Sequence, residues 1–147
     1  MKIEVKIDAN CTETKVVIVA QKMTDEISAL MQRLSEETPP QEIVGYENDV
    51  ALLLEPADII RIYAAVGKVF AVTAKKEYVL RLRLYEAEDR LSGKGFVRIS
   101  NSEIINIKKT KKFDLSSVGT ICVSLCNGDV CFVSRRYVAK IKKTLGI

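Results

Sequence analysis

Short β-branched segments at close spacing, turn residues between them and one Asn-Gly hairpin signal predict a mostly β protein with a few helices, of the α+β class. The 147 residues are 48% hydrophobic, enough to bury a core in one domain, or in one domain with an appendage. The apolar runs at Val16 to Ala20 and Val50 to Leu54 are flanked by charge and fall well short of the roughly 20 residues that span a bilayer. The start, Met1-Lys2-Ile3-Glu4-Val5-Lys6, alternates apolar and charged residues and lacks the apolar core of a secretion signal. A cytoplasmic protein is therefore expected.

A small β-β-α segment is expected first, over residues 1–41. Lys2 to Asp8 alternates, Lys15 to Ala20 is rich in β-branched residues, and Thr24 to Glu37 carries Ile27, Leu30, Met31 and Leu34 at helical spacing. Thr24 fits an N-cap, Asp25 and Glu26 suit the first turn, and Pro39-Pro40 blocks continuation, which places a linker near Thr38 to Gln41. The apolar stripe of the helix fits either a face packed on its own two strands or a dimer surface. Residues 42–147 would form the second domain. Strands are expected at Ile43 to Tyr46, Val50 to Leu54, Asp58 to Tyr63, Lys68 to Thr73 and Tyr78 to Leu82, then a helix at Tyr85 to Leu91.

After the Gly93 and Gly95 loop, Val97 to Ile99 reads as a strand, with Asn101 or Ser102 capping a single helical turn through Ile105. Ile107 to Phe113 reads as an edge strand, because lysines occupy both of its faces. Those lysines serve equally well to discourage stray sheet pairing. Thr120 to Cys126 and Asp129 to Val133 flank Asn127-Gly128, a hairpin whose two-residue turn would put Val123, Leu125, Val130 and Phe132 on the core side. Ser134 then fits the N-cap of a final helix with Tyr137, Val138, Ile141 and Leu145 on one side.

Several functions are disfavoured by composition. The chain has no histidine, which removes the commonest general base and the commonest metal ligand. It has no glycine-rich phosphate loop of either nucleotide-binding pattern, and Glu86 and Glu88 sit among basic residues as a solvated pair. Cys11, Cys122, Cys126 and Cys131 lack close C-x-x-C spacing and read as small buried hydrophobes in a reducing compartment. No catalytic residue, metal or cofactor is expected.

Charge points elsewhere. Residues 1–45 hold five bases and eight acids, whereas from Lys94 onward there are eleven Lys and Arg against Glu103, Asp114 and Asp129. Clustered cations attract a polyanion, and nucleic acid is the leading partner. Arg135 and Arg136 fall where a hairpin meets a helix N-terminus, a place suited to phosphate. A rival reading is a basic module for RNA or an anionic surface. Single-strand RNA modules display aromatic platforms, and here aromatics are 6% with no Trp, with Phe96, Phe113 and Phe132 at expected core positions.

The order Phe96, Arg98, Ser102, Ile104, Ile105, Asn106, then Asn127-Gly128, then Ser134, Arg135 and Tyr137 resembles the LytTR DNA-binding domain over roughly residues 46–147. That resemblance implies an elongated, mostly β fold with loop-based readout of successive major grooves, acting as a dimer on paired repeats of double-stranded DNA. It implies a free-standing transcriptional regulator, since residues 1–45 are too short for a receiver domain. For free-standing members it also implies control by an inhibitory membrane protein.

Carried over by position, one reading loop falls on Ser100 and Asn101, a second on Arg135 and Arg136, and a third near Gly67 on Lys68. Asn suits an adenine edge and Arg a guanine edge. Many members have histidine where this chain has Ser100 and a basic residue at Asn101, so base preference does not transfer, and Val69 replaces a polar group found in some members. Asn101 fits a helix cap as well as a base contact. Lys109, Lys111 and Lys140, with Lys108, Lys112 and Lys142, would be phosphate clamps. Arg98 fits either a phosphate contact or an internal ion pair.

Overall fold

The computed structural model describes residues 1–36 and 41–147, and it divides into two compact units, residues 1–39 and 40–147. The Pro39-Pro40 block and most of the expected linker fall outside the described residues.

In the first unit α1 spans Asp25–Glu36. Thr24 caps it, its Oγ1 accepting the Ile27 N–H at 3.3 Å. The two expected strands are absent: residues 2–8 and 15–20 carry no strand. A turn follows the first segment, with the Asp8 carbonyl taking the Cys11 N–H at 3.0 Å. Among the described residues neither segment pairs with a strand of the same copy, and Ile3, Val5 and Ile7 are each more than four-fifths exposed. Ile18 and Ile27 are half-buried and line a shallow apolar groove with Val16, Met23, Met31 and Leu34.

The second unit is built on a seven-stranded antiparallel sheet. Its strands are β1 (Ile43–Glu47), β2 (Val50–Leu54), β3 (Ile59–Ala65), β4 (Lys68–Thr73), β5 (Glu77–Leu80), β6 (Phe96–Ser100) and β7 (Glu103–Asn106), in the order β2-β1-β5-β4-β3-β7-β6. Helix α2 (Leu84–Arg90) precedes β6. A second sheet contains β8 (Thr110–Asp114), β9 (Ile121–Leu125) and β10 (Val130–Val133), with β9 central, and α3 (Arg135–Leu145) closes the chain.

Two cores lie on opposite faces of the large sheet. Ile104 and Ile105 are both fully buried yet belong to different cores, because successive strand residues point to opposite faces. Ile104 packs with Ile62, Ala71 and Leu80 and with Leu84, Ala87 and Leu91 around α2. Ile105 packs with Val97 and Ile99 against Val123, Leu125 and Val133 of the small sheet and Ile141 of α3. At Gly45 on β1 a Cβ would come within 2.9 Å of both Leu54 and Tyr78, so the close packing of β1 there excludes a side chain.

Three local expectations are corrected. The helical turn through Ile105 is strand β7, since Ile104 and Ile105 each fill a core and β-branched side chains suit a sheet buried on both faces. The expected strand at 107–113 begins as a 3-10 turn, Ile107–Lys109, and the strand itself starts at Thr110 as β8, at one edge of the small sheet. The β9–β10 loop has three residues, not two: Cys131 lies opposite Val123, the Leu125 N–H donates to the Asp129 carbonyl at 2.8 Å, and Gly128 takes a positive φ of 91°. That one-residue slip reverses β10. Cys131 and Val133 are buried, whereas Val130 and Phe132 are 54% and 64% exposed.

Candidate nucleic-acid interface

Two hairpin turns and one helix start meet at one end of the large sheet. The β3–β4 turn is Val66-Gly67, with Ala65 opposite Lys68 and φ of 52° and 72°, a geometry that matches the strand twist. Gly67 suits it, but Val66 is β-branched, and such a residue rarely adopts positive φ. Lys68 is exposed. Antiparallel pairing brings the start of β7 beside the end of β3, with Glu103 opposite Tyr63. The Ala64 N–H donates to the Ser102 carbonyl at 2.8 Å and so ties the first turn to the second, Ser100-Asn101-Ser102.

Arg98 holds this second turn. Its Nε donates to the Ser100 carbonyl at 2.7 Å, Nη2 to the Asn101 carbonyl at 2.6 Å, and Nη1 to Glu88 Oε1 at 3.1 Å. Both readings of Arg98 are thereby decided in favour of an internal role. Ser100 Oγ accepts the Ser102 N–H at 3.2 Å, which fixes the turn locally. Asn101 caps no helix, and it is exposed.

The start of α3 joins the same place. The Ser134 N–H donates to the Ile99 carbonyl at 2.9 Å, and the Tyr137 hydroxyl lies 3.4 Å from Asn101 Oδ1. Ser134 occupies the N-cap position without a side-chain cap bond. Its hydroxyl lies 3.4 Å from the Ile99 carbonyl instead. Arg135 and Arg136 are both exposed. The Arg135 guanidinium folds over Gly119, where an added Cβ would come within 3.0 Å of its Nε.

Lys68, Ser100, Asn101, Arg135 and Arg136 are thus brought together, whereas Lys109 and Lys111 are not. The Lys109 carbonyl takes the Cys126 N–H at 2.8 Å and Thr110 lies opposite Leu125, which places both lysines at the hairpin-turn end of the small sheet. Arg135 follows Val133 at the other end, opposite Ile121. Lys140 is exposed one helical turn after Arg136, on the same side of α3. Among the described residues none of these six cations is ion-paired. Arg81 and Arg83, which sequence reasoning missed, line a groove with Lys68 and Gly67. The Arg81 guanidinium lies 3.9 Å from the Tyr46 ring centre. The alternation Leu80-Arg81-Leu82-Arg83 beyond β5 carries the signal that finds them.

A second cluster fastens the small sheet to the large one. Arg61 donates through Nη1 to Glu103 Oε2 at 3.0 Å and through Nε to Asp129 Oδ2 at 3.1 Å. The Cys131 thiol donates to Glu103 Oε2 at 3.0 Å. Burial, then the Glu103 carboxylate, pushes that thiol up to about 12. Only Cys131 is a buried cysteine; Cys11 and Cys126 are exposed and Cys122 is half-buried, against the expectation of four buried thiols. Among the described residues no cluster fit for a metal occurs, and no helix is long and apolar enough to cross a membrane.

The sequence profile of the LytTr DNA-binding domain matches residues 49–146. The chain belongs to the LytTR DNA-binding domain family. The LytTR fold is also found by superposition: a solved LytTr DNA-binding domain from Bacillus cereus matches with a TM-score of 0.69 at 21% identity, covering 74% of this chain and 100% of that one. An uncharacterized HTH-type transcriptional regulator of Staphylococcus aureus strain NCTC 8325 / PS 47 is 33% identical over 147 residues, 100% of this chain and 99% of that one. A protein of the same description in strain MRSA252 is 33% identical over the same span. In this LytTR chain α2 and α3 are separated by five strands. They form no helix-turn-helix pair, and α3 turns Ile141 into the core.

Proposed function

We propose that the protein is a transcriptional regulator that reads duplex DNA sequence in the major groove through the turns at Lys68, at Ser100 and Asn101, and at Arg135 and Arg136. One observation carries the reading: these three places are hydrogen-bonded into a single end of the sheet while Lys68, Asn101, Arg135 and Arg136 stay exposed and the cations among them unpaired; Ser100 is half-buried and shapes its turn. Asn101 and Arg136 supply base-edge contacts, since amide and guanidinium groups match adenine and guanine. Lys109, Lys111 and Lys140 supply phosphate contacts farther along the surface. The description of the S. aureus relatives supports a role in transcription. Action as a homodimer on paired repeats, in the cytoplasm, follows the same reading.

Phe132, exposed two residues before Ser134, favours single-strand stacking as the rival. Binding of one duplex and of each of its strands, over a range of salt, separates the two. Duplex preference with a steep salt dependence is expected, and selection from random duplexes should return paired repeats. Preference for a single strand removes the duplex reading.

A further inference from the structure

The first unit offers a segment with strand periodicity and, among the described residues, no pairing partner. Residues 2–8 alternate Lys2, Glu4, Lys6 and Asp8 with Ile3, Val5 and Ile7. The Lys2–Glu4 ion pair at 3.0 Å puts positions i and i+2 on one side, as in a pleated chain. Among the described residues, the main chain of 2–7 makes no backbone hydrogen bond. Ile3, Val5 and Ile7 are 84%, 81% and 90% exposed. A segment with strand periodicity, free backbone groups and an uncovered apolar row is a template for another strand.

We infer that residues 2–8 pair antiparallel with the same residues of a second copy, about a two-fold axis through Val5. Pairing the segment with itself about residue 5 sets Lys2 against Asp8 and Glu4 against Lys6, each twice by symmetry, while Ile3 meets Ile7 and Val5 meets Val5. Every charged position then faces its opposite on one side, and every apolar position faces an apolar one on the other. Parallel in-register pairing would set Lys2 on Lys2 and Glu4 on Glu4, which is destabilising. The charge sequence therefore selects the antiparallel, isologous arrangement that closed dimers require. This deepens the dimeric reading above by giving the interface its residues, and it does not depend on what nucleic acid is bound.

The test is sedimentation of the full chain without DNA, for the native protein, Glu4→Lys, and Glu4→Lys with Lys6→Glu. A concentration-dependent dimer is expected from the native chain. Glu4→Lys sets an ammonium group against Lys6 of the second copy, twice by symmetry, and should weaken association by about tenfold or more. The double charge swap restores opposite charges across the pair and should recover the dimer. A monomeric native chain, an unaffected Glu4→Lys variant, or no recovery in the double swap overturns the inference. Binding of each variant to a single half-site, measured alongside, is expected to be unchanged. Failure of every variant to bind duplex would instead strike the nucleic-acid reading and leave the pairing standing.

Discussion

The Ala64 amide and the Ser102 carbonyl, 2.8 Å apart, couple two turns that lie more than thirty residues apart in sequence. A base-reading surface needs this kind of coupling, because side chains on separate loops must keep a fixed spacing to meet successive base pairs. The division of roles can be tested directly. Arg136→Ala should cost about 1–3 kcal/mol on a selected duplex and flatten sequence preference, whereas Lys109→Ala should weaken all duplexes alike and lower the salt slope by about one. Titrations at several salt concentrations distinguish these outcomes, and equal, sequence-blind losses from both would reverse the assignment.

Arg98 should act on DNA without touching it. Its guanidinium spans the Ser100 and Asn101 carbonyls and Glu88, a fork that a lysine ammonium does not reproduce. Arg98→Lys is expected to lose about 1–3 kcal/mol of specific binding while keeping its affinity for an unrelated duplex. Native-like discrimination by that variant would show that the turn holds its shape unaided.

Asn106 is the one buried polar residue among those described. Its Nδ2 donates to the Ile59 carbonyl at 2.9 Å and its Oδ1 accepts the Lys108 N–H at 3.1 Å. Asn106→Ala leaves two main-chain groups unsatisfied and should destabilise the fold by about 2–4 kcal/mol, seen as a lower urea midpoint. A shift under about half a kcal/mol would mean that water replaces both bonds.

Val66 is strained where asparagine would not be. With φ of 52° and 98% exposure, its isopropyl group gains nothing from packing. Val66→Asn gives the preferred Asn-Gly turn and should add about 1 kcal/mol of stability in equilibrium unfolding. Loss of stability would show that Val66 is held by something other than its turn.

Cys131 sets an alkaline limit. Its folded pKa is raised from 9.0 to about 12, so the neutral thiol is favoured by the fold and its contribution is complete below pH 9. That contribution falls as pH rises from 9 towards 12, where the unfolded thiol ionises first. Unfolding midpoints of native protein and Cys131→Ala should therefore converge with rising pH across that window. Alkylation of the native chain near pH 8 should mark Cys11 and Cys126 and spare Cys131.

Much of this architecture was legible because local signals and tertiary needs agree. Val50–Leu54 and Lys68–Thr73 form strands with the bounds that their composition marks, and Thr24 caps the helix that follows it. The misreadings have physical causes. Asn127-Gly128 marks a turn but not its length, and one extra loop residue inverts Val130 and Phe132. Asn101-Ser102 has the form of a cap, yet Ile104 and Ile105 have to face opposite cores, which only a strand allows. The strands expected at 2–8 and 15–20 lack a partner within one copy. Sequence order singles out Ser100, Asn101, Arg135 and Arg136, and the fold brings them to one end of the large sheet; their part in reading DNA is a proposal. The anchoring by Arg98 and the proximity of Arg81 and Arg83 depend on pairings that no local pattern contains.

The placement of β7 between two cores constrains how the chain assembles. Its contacts with β3 join residues such as Arg61 and Glu103, 42 apart in sequence, while β1 to β5 are linked mostly by neighbours. The early meander can therefore form as synthesis proceeds, but its β3 border stays open until β7 docks. Only then can the small sheet and α3 find a floor. Such long-range closure slows folding and prolongs exposure of an unpaired edge, so late-stage aggregation during overproduction should respond to changes in β7 before it responds to changes in β1 or β2.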